Sequence, residues 1–234
     1  MKLDELIRID PLDAMACNNR GAAYNNLGQY ERAIQDYDEA VRIKPQYAVA
    51  YYNRGVAYGG LGQYERSIQD YDESIRIDPQ DANPYGVRGV AYYRLGQYER
   101  AIQDYDEAVR INPQYAVAYY NRGVAYHELG QFERAIQDFD EAIRLNPQNA
   151  DAYYFKDLAY KARGGAMTTS DWPFGIPNWL DGELARAVRS DGMARVEVWR
   201  GGAWVAEPGI SPFEIMRSGV PATPASLAEA GVAG

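Results

Sequence analysis

The sequence predicts an all-α protein, a solenoid of helical hairpins followed by a small segment of different character. Three observations predict it. The stretch QYAVAYYNRGVAY at residues 46–58 occurs again, letter for letter, at residues 114–126. LGQYERAIQDYDEAVRI at residues 27–43 returns at 95–111, with near copies at 61–77 and 129–145, so the period is 34. Within each period apolar residues recur at helical spacing, and glycine or proline interrupts them. A period of this size marks stacked units, each burying an apolar face that only its neighbours can cover.

In register the full units are residues 14–47, 48–81, 82–115 and 116–149. Each reads as two helices. In the second unit Tyr51, Gly55 and Tyr58 share one face of the first helix, which is stopped by Gly59, Gly60, Leu61 and Gly62. The second helix carries Tyr64, Ser67, Ile68, Tyr71, Ser74 and Ile75 at i, i+3, i+4 and i+7, and Pro79 ends it. Small residues opposite bulky tyrosines let two antiparallel helices approach closely.

The pattern resembles the tetratricopeptide repeat (TPR) family. The matching positions include Gly21, Gly55, Gly89 and Gly123, then Tyr24, Tyr58, Tyr92 and Tyr126, and the prolines Pro45, Pro79, Pro113 and Pro147. Two positions depart from it. The usual tryptophan is Cys17, Tyr51, Tyr85 or Tyr119, and the usual leucine is Arg20, Arg54, Arg88 or Arg122. Those arginines recur with Asp36, Asp70, Asp104 and Asp138, which reads as a salt bridge repeated within each unit. The resemblance implies a right-handed superhelix of four full repeats with flanking half-repeats. Residues 1–13 read as a truncated half-repeat, so that the array starts in mid-repeat, as a fragment of a longer one would. Residues 150–165 read as a capping helix, with Asp157, Lys156 and Lys161 giving it a more polar outer side.

Composition changes abruptly after the repeats. All 21 tyrosines lie at or before Tyr160, and all four tryptophans (Trp172, Trp179, Trp199 and Trp204) lie after it. Residues 166–178 read as a linker, and Met167 resembles a second start, as in a fusion. Residues 179–234 read as a small α+β or partly ordered segment of no recognised family. There Leu180, Leu184 and Val188 predict one amphipathic helix, residues 194–208 a β-hairpin around Gly201-Gly202, and residues 211–219 and 223–231 two short helices.

Several functions are disfavoured. A net charge of −9 leaves no surplus of cations for nucleic acid. The acidic N-terminus does not read as a signal peptide, and no stretch is apolar enough for a membrane span, so a cytoplasmic setting is expected. Cys17 is the single cysteine and His127 the single histidine, so neither a nucleophile triad nor a histidine-rich metal site is expected, and no cofactor. Cys17 reads as a packing residue.

The expected function is non-catalytic protein binding. In the TPR family the first helices line the concave side and usually hold peptides. By phase, the lining here is Asn19, Asn53 and Asn121 with Val87 interrupting, beside Tyr52 and Tyr120, then Val56, Val90 and Val124, then Tyr93 and His127. A carboxamide can pair with both the N–H and C=O of a peptide backbone, and other members of the family use asparagine at this position. The expected ligand is an extended, partly apolar peptide, either from a partner or from the chain's own residues 171–179 (DWPFGIPNW). The carboxylate clamp of chaperone adaptors is not expected, since its places hold Asn18, Ala22, Asn53, Asn83 and Val87. Two rival readings are a repeat carrier for an effector or enzyme fragment in the tail, and a self-assembling array whose exposed end accepts a second copy.

Overall fold

The computed structural model describes residues 13–164, together with the backbone of strand residues 177–180, 183–190, 193–200, 203–206 and 220–221. The chain divides into two compact units, residues 1–129 and 130–234.

The first unit is built from helical hairpins. Its described helices are α1 (Ala14–Asn26), α2 (Tyr30–Ile43), α3 (Ala48–Gly60), α4 (Tyr64–Ile77), α5 (Ala82–Arg94), α6 (Tyr98–Ile111) and α7 (Ala116–Glu128). Each second helix packs against its own first helix and against the first helix of the next repeat, and successive first helices also touch. The turn inside each hairpin rests on glycine. Gly62 has φ +72°, and behind it the Gln63 N–H donates back to the Tyr58 carbonyl at 2.9 Å, so the chain reverses within four residues. At the other end of the unit's helices, the Asp13 carboxylate caps α1 by accepting from Met15 N at 2.8 Å and Ala16 N at 3.2 Å.

The hairpins close on one recurring contact. The faces of Gly21, Gly55 and Gly89 lie against the rings of Tyr37, Tyr71 and Tyr105, and a Cβ at Gly55 would stand 2.6 Å from Tyr71 Cε1. A methyl group there is over-packed, at a cost of about 1–3 kcal/mol. Alanines fill the rest: Ala33, Ala40, Ala50, Ala57, Ala101 and Ala108 are fully buried. The second repeat holds Ser67 and Ser74 at two of these places. Their hydroxyls are satisfied by backbone carbonyls, Ser67 by Gln63 O at 3.3 Å and Ser74 by Ala48 O at 3.0 Å. Cys17 is buried against Ala40 and Ala50, and burial pushes its thiol above the ordinary range.

Among its described residues the second unit contains α8 (Phe132–Leu145) and α9 (Ala150–Ala162), which pack together, and five strands. Lys156, expected on a polar outer side, is instead 3% exposed, with its ammonium 2.7 Å from Asp140. It occupies the register of the repeating arginines and takes over their charge.

The strands are β1 (Pro177–Leu180), β2 (Glu183–Ser190), β3 (Met193–Arg200), β4 (Ala203–Ala206) and β5 (Val220–Pro221), in the antiparallel order β4-β3-β2-β1-β5. The hairpin expected around Gly201-Gly202 is present as β3–β4. The amphipathic helix expected through Leu180, Leu184 and Val188 is not: these residues stand in β1 and β2. A spacing of four is even, so it fits a two-residue period as well as a helical one. The deciding signal lay in the turns. Pairs Leu180↔Glu183 and Ser190↔Met193 leave Asp181-Gly182 and Asp191-Gly192 between strands, and Asp-Gly is a strong two-residue hairpin sequence. β1 also begins inside the stretch expected to be linker. The expected half-repeat at 1–13 (apart from Asp13), most of the linker and the two short helices at 211–219 and 223–231 lie outside the described residues.

Candidate interaction face

The face begins with what holds its helices in register. Arg54, on α3, donates from Nε and Nη2 to both oxygens of Asp70 on α4, at 2.8 and 2.6 Å. Its Nη1 donates to Asp38 of the preceding repeat at 2.7 Å. Arg88 repeats the arrangement with Asp104, at 2.8 and 2.6 Å, and with Asp72. Arg20 holds Asp36 at 2.8 and 2.5 Å, and Arg122 reaches back to Asp106 at 2.6 Å. The salt bridge expected within each repeat is therefore present in the first three, and a second arm to the repeat before it is an addition from the structure. The guanidinium carbons of Arg54, Arg88 and Arg122 also sit 5.3–5.6 Å from the ring centres of Tyr51, Tyr85 and Tyr119. The two departures from the family pattern, tyrosine for tryptophan and arginine for leucine, are thus in contact with each other.

Burial pushes the Asp70 and Asp104 carboxyls up, and the hydrogen bonds from Arg54 and Arg88 pull back against it. The Arg54 guanidinium is held well above its usual value, chiefly by its hydrogen bonds to Asp70.

With the arginines pointing between helices, the residues four and seven positions after each helix's second residue form a stripe along the opposite side. On α3 the stripe is Val49, Asn53, Val56 and Gly60; on α5 it is Asn83, Val87, Val90 and Arg94; on α7 it is Val117, Asn121, Val124 and Glu128. Val49 is 50% exposed, Val117 56% and Val90 36%. Val49, Val117 and the equivalent Met15 were missed from sequence, although their i, i+4 relation to the asparagines and to Asn19 was legible there.

The expected site residues divide into two groups. Asn19 is exposed, and Asn121, Val56 and His127 are half-buried. Asn53 is half-buried and donates one amide hydrogen to Asn18 Oδ1 at 2.9 Å, so part of its capacity ties α3 to α1. Asn18 is itself buried. Tyr52 packs its ring 6.1 Å from that of Tyr71, and burial raises its phenol; it works between helices more than on the face. Tyr93 lies 5.3 Å from Tyr98 with its hydroxyl 3.4 Å from Glu128. Tyr120 is half-buried and Val124 is buried. Asn83, one of the places of the carboxylate clamp, bonds Asp81 at 2.8 Å.

Between the second and third repeats the face opens into a pocket of about 290 Å³. Val56, Val87, Val90 and Ala91 supply apolar walls, Tyr64, Ser67 and Tyr71 line it from α4, and Gly59 and Arg94 complete it. Sequence reasoning missed it, though the break in repeat identity was visible: Gly59 stands where the other repeats carry Asn25, Tyr93 and His127.

The comparisons with known proteins concern this same array. A family profile described as "TPR repeat" matches residues 21–62 and 89–130, and two described as "Tetratricopeptide repeat" match 48–81 and 116–149, and 3–35 and 70–103. The chain belongs to the tetratricopeptide-repeat family. No curated protein matches it in sequence. Among solved TPR structures, YrrB, described as a TPR protein with an unusual peptide-binding site, superposes with a TM-score of 0.61 at 22% identity, covering 70% of this chain and 84% of that one. MamA from Desulfovibrio magneticus RS-1 gives 0.61 at 23% identity, covering 64% and 85%. The first TPR of Spaghetti (RPAP3), bound to the HSP90 peptide SRMEEVD, gives 0.50 at 29% identity, covering 51% of this chain and 95% of that one.

No group of three or more metal-ligating side chains comes together among the described residues, and no helix among them is long and apolar enough to cross a membrane.

Proposed function

We propose that this TPR protein is a non-catalytic interaction scaffold whose first-helix face holds an extended, partly apolar peptide. The observation that carries the reading is the stripe itself, which sets an exposed valine, Val49 or Val117, one helical turn before a half-buried asparagine amide, Asn53 or Asn121, on α3 and α7. Amides pair with a peptide backbone regardless of its sequence, and the valines bury its side chains. Three amide bonds net only about 3 kcal/mol, whereas micromolar affinity needs about 8 kcal/mol. Apolar contact has to supply the larger part, at roughly 25 cal/mol per Å². A repeat domain 29% identical to this chain is bound to a peptide, which supports the same use of the fold here.

The chain's own residues 171–179 have the composition of such a ligand, with Phe174 between Pro173 and Pro177 and Trp172 and Trp179 on either side of them. As a synthetic peptide they are the first probe. The full chain should bind it saturably, and replacing Val49 and Val117 together with Asp should weaken binding at least about tenfold without loss of helicity, since both side chains face solvent. Asn53→Ala with Asn121→Ala should act in the same direction. Affinity unchanged in both double variants would refute this face as the binding site.

A further inference from the structure

The pocket beside Gly59 differs from the rest of the stripe, and its lining specifies what enters it. Two departures from repeat identity meet here. Gly59 removes the side chain that Tyr93 and His127 provide in the following repeats, and Val87 replaces the asparagine. Together they turn an amide-bearing surface into an apolar hollow. The Ser67 hydroxyl in its lining donates to Gln63 O at 3.3 Å and keeps its acceptor lone pairs. The volume of about 290 Å³ is roughly that of ten waters, enough for one aromatic side chain. Arg94 is exposed at this pocket and makes no ion pair among the described residues, in contrast to the doubly paired Arg54 and Arg88.

We infer that this pocket is the specificity element of the peptide site: it takes one aromatic side chain of a partner peptide whose neighbouring residue is acidic and pairs with Arg94. The inference rests on the groove reading above and adds the sequence that the groove selects. The apolar walls make the aromatic residue the anchor. Arg94, the cation of the pocket lining, sets the sign of the neighbour, because a basic residue there would meet like charge.

The test uses the full chain and a set of synthetic peptides that differ only at two adjacent positions. The first holds Trp, Phe or Gly, and the second holds Glu, Gln or Lys. Trp or Phe should bind about thirtyfold more tightly than Gly, as for a buried aromatic anchor. Glu should exceed Lys by about fivefold, less at high salt. Two variants then separate the pocket from the groove. Gly59→Leu fills the hollow; it is compatible with the helix, because a Cβ there meets only Ser67 Oγ at an ordinary 3.4 Å. It should abolish the aromatic preference while circular dichroism stays unchanged. Arg94→Glu should invert the charge preference, making Lys the better neighbour. Peptides that bind and respond to the Val49 and Val117 variants, but ignore Gly59→Leu and Arg94→Glu, overturn the pocket assignment and leave the groove reading intact. If no peptide in the set binds, the pocket assignment falls as well.

Discussion

Arg54 illustrates how much one residue carries in this array. Its three hydrogen bonds join two helices of one repeat to the last helix of the repeat before, and its guanidinium covers Tyr51. The Asp70 side chain is 7% exposed, while Asp38 is 54% exposed, so the two arms are unequal. Losing the arm to Asp38 matters little, because water replaces it. Losing the arm to Asp70 strands a carboxylate in the interior. Arg54→Leu, which restores the residue common in the family, is therefore expected to destabilise the protein by about 3 kcal/mol. The Asp70 carboxyl, already raised by burial, then rises further. A folded value above the unfolded one means that the penalty is largest at neutral pH and shrinks on acidification, as the carboxyl takes up a proton. Adding Asp70→Leu should recover most of the loss at pH 7. Denaturant midpoints of both variants at pH 7 and pH 5 check this, and equal losses at the two values would contradict it.

At the scale of the element, each hairpin is a glycine face closed by a tyrosine ring. Tyr37, Tyr71 and Tyr105 are 1–4% exposed, and burial holds all three phenols well above the ordinary value. The folded state keeps them neutral, whereas in the unfolded chain they ionise near pH 10. Stability from this source is thus fully present below about pH 10 and is lost as pH rises beyond it. In a spectrophotometric titration these three tyrosines should ionise only with unfolding. Replacing Tyr71 and Tyr105 by Phe should shift the alkaline unfolding midpoint upward; an unchanged midpoint would show that the rings are not the cause.

At the scale of the whole molecule, contacts in the first unit run between neighbouring repeats, and the arginine arms run only to the repeat before. Stability in such an array is a sum of local terms and nearest-neighbour terms. Hydrogen exchange in an Arg54→Leu variant should accordingly rise most in α2–α4, which Arg54 joins, and least in α6. An equal rise from α2 to α6 would contradict a nearest-neighbour account. The pocket belongs to this scale too, since α3, α4 and α5 each contribute to it and no single repeat contains it.

The amino-acid order alone determined the period, the two helices of each repeat, the glycine stops and the pairing of arginine with aspartate inside a repeat. All of these depend on residues a few turns apart, where spacing fixes geometry. It also determined more than was read from it, because Asp181-Gly182 and Asp191-Gly192 already pointed to the strands that a four-residue spacing disguised as a helix. Tertiary structure decided the rest: that Arg54 and Arg88 reach across to the preceding repeat, that Asn53 spends a hydrogen bond on Asn18, that Tyr52 packs between helices, and that Gly59, Val87 and Arg94 meet around one pocket. Each of these depends on how far one repeat is displaced from the next. Packing sets that displacement, and spacing along the chain does not record it.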